Sequence, residues 1–273
     1  HQAGRNVFTI GEDFVKILPV SVDDLRDPHP FLLGKEENVE KLELRVPEET
    51  VLCIKDKKDR WQLQSPVQAM ANQTEIEALL EKVRTLKVEG FLKDNKDNPT
   101  DFKAFGLEPP QRQFRIWPQG QVNPQVLLVG QKSANNPGVY ARMEDQKTVF
   151  LLSSSLIESL FKKADDLRDH SLLSFSTDEI GKLSIRYPSK SFTLEREKNN
   201  WNLTEPKKAK AKYIKGLDLL WEVNGLKYLE IATEKGIAGD SYGLDKPQLT
   251  LTLWKKNGEL LDALLLGAKI PEK

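Results

Sequence analysis

Five residues occur twice without change, Asp23-Asp24-Leu25-Arg26-Asp27 and Asp165-Asp166-Leu167-Arg168-Asp169. Each copy ends a stretch with helical patterning, so three carboxylates fall near a helix C-terminus, where the backbone dipole opposes them. Something else must favour them there. A hard cation such as calcium takes oxygen ligands of this kind, but the spacing is not that of an EF-hand loop. The other reading is an Asp–Arg bridge or loop cap that fixes the path into the next strand. Identity at equivalent positions suits a shared structural role better than a single active site. On either reading Asp23, Asp24, Arg26, Asp27, Asp165, Asp166, Arg168 and Asp169 are the candidate functional loop residues.

The other residue types that could do chemistry are sparse. The histidines are His1, His29 and His170. The last two follow the duplicated loops but miss equivalence by one position, and no Cys or second His stands at ligand spacing, so they read as exposed loop residues. Cys53 lies on an inward strand face and reads as an inert core thiol. Ser153-Ser154-Ser155 reads as a helix start, without the Gly-x-Ser-x-Gly elbow of a nucleophile. No phosphate-binding glycine loop is present. Lys207, Lys208, Lys210, Lys212 and Lys215 form a basic run that could meet anionic lipid or glycan, but a solvated helix start accounts for it. Trp61/Trp201 and Trp117/Trp254 repeat in place, as core or hinge packing does, with an aromatic ligand platform as the alternative. No catalytic, cofactor-binding or metal-binding set emerges, and no cofactor is implied.

These residues are positioned by a duplication. Leu25 and Leu167 lie 142 residues apart, Trp61 and Trp201 140, Gly106 and Gly243 137. Such drift is what loop insertions produce, and the period is that of a whole domain rather than a solenoid repeat. Val7-Phe8 matches Val149-Phe150, so residues 1–24 read as the tail of a preceding unit. Unit one is then expected over 25–166. Unit two, over 167–273, is expected to be shortened at its C-terminal end, because the counterpart of Gly138–Arg142 is missing.

Within each unit Leu42, Leu44 and Val46 alternate with polar residues, as do Leu183, Ile185 and Tyr187. Turns at Pro47 and Pro188 lead to a second strand and then to the strands of Trp61 and Trp201, an antiparallel meander. Ile76, Leu79, Leu80, Val83 and Leu86 form one face of a helix, with Thr74 and Glu77 as capping box. Leu219, Leu220, Val223 and Leu226 repeat that face. Phe105-Gly106-Leu107 and Tyr242-Gly243-Leu244 end short helices through a left-handed glycine. Together Trp61, Gly106, Leu107, Trp201, Gly243 and Leu244 are the structural motif. A helix over 155–168 is expected to start at Ser155 and Glu158, and Asp13 takes the N-cap place in the upstream copy. The fold class is α+β, tandem duplicated units of antiparallel meander sheets with amphipathic helices packed on them.

Lys+Arg and Asp+Glu are both 41, so no global field favours nucleic acid. No apolar run approaches the roughly 18 residues of a membrane-spanning helix. The order Trp-x-Leu-x-x-Pro, amphipathic helix, Phe/Tyr-Gly-Leu-x-x-Pro, Val-Gly strand, Val-Tyr-Ala-Arg and Leu-Arg-Asp resembles a bacterial family known as domain of unknown function 4340. The resemblance implies an extracytoplasmic repeat region, on the periplasmic side, anchored to the membrane by a segment absent here. It also implies partners among membrane or envelope proteins of a complex linked to ABC-type transporters, and supplies no catalytic residues. The expected function is a non-enzymatic interaction or accessory module. A glycan- or ligand-binding domain pair with an inter-domain cleft and a carboxylate-based hydrolase are the alternatives.

Overall fold

A computed structural model describes residues 9–16, 18–19, 21–34, 37–92, 101–134, 137–198, 200–211, 213–233 and 242–269. Val7 and Phe8 of the upstream match and Lys212 of the basic run lie outside them. The chain divides into two compact units, His1–Asp169 and His170–Lys273. Residues 167–169 stay with unit one because their backbone is bonded into it. The Leu167 carbonyl accepts from Asn72 N–H, Asp169 N–H donates to the Met70 carbonyl, and Arg168 bridges Ala71.

Unit one begins with helix α1 (Glu12–Lys16) and a 3-10 turn at Val22–Leu25. The meander follows as β1 (Val39–Arg45), β2 (Thr50–Lys55), β3 (Trp61–Ser65) and β4 (Ala69–Met70), then helix α2 (Gln73–Arg84) and β5 (Gly90–Phe91). After a 3-10 turn at Phe102–Phe105 come β6 (Arg112–Pro118), β7 (Gln125–Lys132), β8 (Val139–Met143), β9 (Phe150–Leu152) and helix α3 (Ser154–Leu160). Unit two contains β10 (Ile180–Tyr187), β11 (Lys190–Glu197), β12 (Asn200–Glu205), β13 (Ala209–Lys210), α4 (Tyr213–Asn224), β14 (Leu249–Lys255) and β15 (Leu260–Leu266). The sheet orders are β4-β3-β2-β1-β6-β7-β8-β9-β5 and β13-β12-β11-β10-β14-β15. The six strands of the second sheet reproduce the first six of the other, antiparallel throughout, as the duplicated α+β reading expects.

Alternation fills one face of each sheet. In unit one Leu42, Leu44, Cys53, Trp61, Leu63, Phe114 and Ile116 are buried against Ile76, Leu79, Leu80 and Val83 of α2 and Ile157 and Leu160 of α3. Burial pushes the Cys53 thiol up to about 12, so it is an inert core group, a thiolate being the reactive form. Unit two has a smaller core of Leu183, Trp201, Leu220, Val223, Leu251 and Leu253, among others.

The glycine motif is explained by a close approach. Gly106 and Gly243 have φ of 66° and 69°, which a β-carbon disfavours. Their turns lie against the neighbouring strand, where the Phe105 carbonyl occupies the place of a β-carbon on Gly130 and the Tyr242 carbonyl does the same at Gly267. Leu107 is then buried, but Leu244 is partly exposed. In unit one a second cluster of Leu107, Val126, Leu128 and Val149 forms on that side of the sheet.

Several helix boundaries differ from the sequence reading. Helix α2 is capped by Asn72, whose side chain accepts from Glu75 N–H, and not by Thr74. Asn72 is where the chain leaves β4, held by Leu167, so tertiary bonding sets the start. Glu77 is drawn away to Trp61. Helix α3 is capped by Ser153, not Ser155, and stops at Leu160; a separate 3-10 turn at Asp165–Leu167 follows. Asp13 lies inside α1, paired with Lys16, rather than at its N-cap. Helix α4 ends at Asn224, so Leu226 falls beyond it and is exposed.

Candidate functional site

The duplicated Asp-Asp-Leu-Arg-Asp loops share one interaction. The Asp24 carboxylate accepts the backbone N–H of Ser21 at 2.8 Å, and that of Asp166 accepts Lys163 N–H at 3.0 Å. Both bonds span three residues and close the turn before the next strand, so the second aspartate is a loop cap. The Asp23 side chain lies outside the described residues. Asp165 is exposed, and Arg168 and Asp169 join unit one through their backbone. Leu25 is 74% exposed whereas Leu167 is 0%. Among the described residues no three His, Cys, Asp or Glu side chains gather as a metal site would require.

The first loop goes on to line a pocket. The Asp27 carboxylate accepts His29 N–H at 2.9 Å and faces His29 Nδ1 at 2.7 Å. The backbone N–H first, and then the ring, hold its pKa below the usual carboxylate value. Arg26 stands over the Phe91 ring at 5.2 Å. With Gln146 and Thr148 these residues line a cavity of about 300 Å³, small for an organic ligand. A histidine held through Nδ1 leaves Nε2 for a ligand or a proton. In unit two His170 comes one position earlier and stacks on Tyr228 with centroids 4.6 Å apart. The loop cap is thus common to both copies, and the Asp27–His29 pair lies in unit one.

The tryptophan motif also diverges between copies. Trp61 Nε1 donates to Glu77 Oε1 at 2.9 Å, and Gln73 bonds both its backbone N–H and its carbonyl. Offset by 140, Glu77 becomes Leu217 and Ile76 becomes Gly216. Among the described residues Trp201 Nε1 is accordingly buried without a hydrogen-bond partner, and its ring lies where a β-carbon on Gly216 would stand 2.7 Å away. Trp117 and Trp254 are not core residues: they are half-buried on the outer sheet face, opposite Lys41 and Lys182. The face they occupy is open because the helices pack on the other side.

Sequence periodicity missed one buried charge. Glu43 sits on the outer face of β1, with Arg45 Nε at 2.6 Å and Arg115 Nε at 3.7 Å. Burial of a carboxylate demands such compensation. Its position among polar alternating residues gave no sign of that burial.

Two sets of apolar residues are exposed where their counterparts in β7 and α3 are covered. In β7, Leu128 and Val129 are 4% and 1% exposed; their counterparts in β15, Leu265 and Leu266, are 45% and 46% exposed. In unit one β8 pairs with β7 and β9 follows, whereas β15 ends its sheet. Phe14 and Val15 of α1 and Leu18 just beyond it, offset by 142 from Leu156, Ile157 and Leu160 of α3, are exposed as well. Trp221 and Leu229 of unit two add further exposed apolar area. No helix among the described residues is long and apolar enough to cross a membrane.

No curated protein and no solved structure matches the chain. The order of motifs, the duplicated sheets and a family model matching residues 1–100 and 61–247 agree, and the chain belongs to the family described as Domain of unknown function (DUF4340).

Proposed function

We propose that this chain is a non-enzymatic interaction module, exposed on the extracytoplasmic side of a bacterial membrane and serving a transporter-linked complex. The exposure of Leu265 and Leu266 carries the reading. Monomeric proteins seldom leave contiguous apolar strands uncovered, and an open strand edge is a template for pairing. The occupant is a strand followed by an amphipathic helix, the chemistry that β8, β9 and α3 present to the same surface in unit one. The two leucines are 45% and 46% exposed, so burying the remainder would contribute roughly half of the ~1.5–3 kcal/mol of a full burial for each. Location and complex rest on the family resemblance.

A photo-crosslinking residue placed at Leu265 tests the reading in cells. It is expected to trap, in the envelope fraction, a segment of apolar strand and amphipathic helix, and the same residue at Lys58 is expected to trap none. Crosslinks to cytoplasmic proteins, or equal trapping from both positions, would contradict it. The pocket beside Asp27 and His29 favours a second reading, small-ligand binding within unit one. The hydrolase alternative finds less support: the carboxylate that is buried among the described residues, Glu43, is held by arginines.

A further inference from the structure

Both units carry the same groove on the outer sheet face, and its charge has changed between them. Lys41 pairs across the ladder with Trp117 just after a bulge at Val39/Lys41, and Lys182 pairs with Trp254 just after one at Ile180/Lys182. Each ammonium stands over its indole, at 4.1 Å and 5.2 Å. The grooves they border hold about 560 Å³ in unit one and about 680 Å³ in unit two. In unit one the charged lining is mixed: Lys41, Lys55 and Lys57 with Glu40, Asp56 and Asp59. In unit two it is Lys182, Arg196, Lys198, Lys255 and Lys256 with Glu195.

The ladder register shows which positions changed. Glu40 precedes Lys41 and its counterpart is Gly181; Pro118 and Gln119 follow Trp117 and their counterparts are Lys255 and Lys256. At these positions one carboxylate has gone and two ammonium groups have arrived, while Ile54 opposite Lys41 has become Glu195 opposite Lys182. Gly181 also allows the approach, since a β-carbon there would stand 2.6 Å from Lys256 Cα. Carboxylates neutralise part of this charge: Lys182–Glu195 at 3.1 Å, Lys255–Glu259 at 3.1 Å and Arg196–Asp178 at 3.7 Å. Lys198 and Lys256 are exposed and have no carboxylate within ion-pair distance among the described residues. A concave wall of one sign focuses the field on its centre and gathers counter-ions there.

We propose that the unit-two groove is a binding site for a phosphate-type oxyanion, free or carried on a lipid headgroup, and that the unit-one groove is not. Lys198 and Lys256 supply the uncompensated charge, and Arg196 and Lys182 border the same groove. Exposed charges of this kind are screened by salt, so binding falls as ionic strength rises.

Calorimetric titration of the whole chain with inorganic pyrophosphate at low ionic strength tests this. One saturable site is expected, weakened at least tenfold by Lys198→Gln with Lys256→Gln and unchanged by Lys57→Gln in unit one. Both variants alter exposed side chains, and circular dichroism checks that the fold is retained. Vesicles of phosphatidylglycerol, compared with phosphatidylcholine, separate the two sources. Flotation with the anionic vesicles that the double substitution abolishes assigns the lipid headgroup, and pyrophosphate binding without flotation assigns free phosphate. Absence of saturable pyrophosphate binding, or binding that the double substitution leaves intact, overturns the proposal.

Discussion

Trp61 and Trp201 show how one side chain is reconciled with two surroundings. In unit one Glu77 satisfies the indole N–H; in unit two Leu217 leaves it unpaired and Gly216 makes room for the ring. An unmade buried hydrogen bond costs about 1–3 kcal/mol. Leu217→Gln is therefore predicted to stabilise unit two by about 0.5–1.5 kcal/mol, measured as protection of Trp201 in native-state hydrogen exchange. Gly216→Ala is predicted to destabilise it. Helix propensity favours alanine by about 1 kcal/mol, but overpacking against a ring costs about 1–3 kcal/mol, and the ring cannot retreat from a filled core. A more stable Gly216→Ala variant would contradict the packing.

Asp56 makes a pH-dependent turn at the same scale. Its carboxylate accepts the backbone N–H of Lys58 and Arg60 and the Arg60 guanidinium. The Arg60 backbone N–H acts most strongly, desolvation opposes it, and with the Arg60 side chain and the Lys58 N–H added the pKa falls to about 2. The unfolded value is about 3.9. Because the folded pKa is the lower one, the turn's contribution is complete above about pH 4 and disappears as pH falls towards about 2. A carboxyl carbon titration is predicted to give a midpoint near 2, and Asp56→Asn is predicted to remove this part of the acid dependence. A midpoint near 4 would show that the turn does not hold the charge.

Among the elements, the decisive contrast is between β7 and β15. Both sequences carry an apolar run, Val126–Val129 and Ala263–Leu266, that reads as a strand. Burial is settled instead by strand order, which no local pattern contains: among the described residues β7 is flanked by β6 and β8, and β15 has one neighbour. Local chemistry was readable where it was local. The left-handed Gly106 and Gly243, the repeated meander and the loop cap at Asp24 and Asp166 follow from turn rules. The caps at Asn72 and Ser153 were misplaced by two residues because the end of the preceding strand fixes them. The Asp27–His29 pocket was only half legible, since Phe91 and Thr148 reach it from distant elements. Gly106→Val should test the shared turn. It is predicted to destabilise unit one by about 1–2 kcal/mol and to leave hydrogen exchange in unit two unchanged. Equal loss in both units, or no loss in either, would disprove its local role.

For the whole molecule, duplication has kept the scaffold and varied its surfaces. Carboxylates outnumber Lys and Arg in residues 1–169, and the reverse holds in 170–273, within a chain of net charge zero. Unit one contains the strands and helix that cover its own sheet; unit two presents the corresponding surface open among its described residues. On the proposed function this surface accepts a segment like the one unit one supplies to itself. The direct measurement is amide hydrogen exchange of the intact chain with and without an added peptide of residues 139–161. Saturable slowing is predicted in Leu260–Leu266, none is predicted in Gln125–Lys132, and Leu266→Asp is predicted to abolish the effect. Unchanged exchange in Leu260–Leu266 at saturating peptide, or protection that survives Leu266→Asp, would contradict the account.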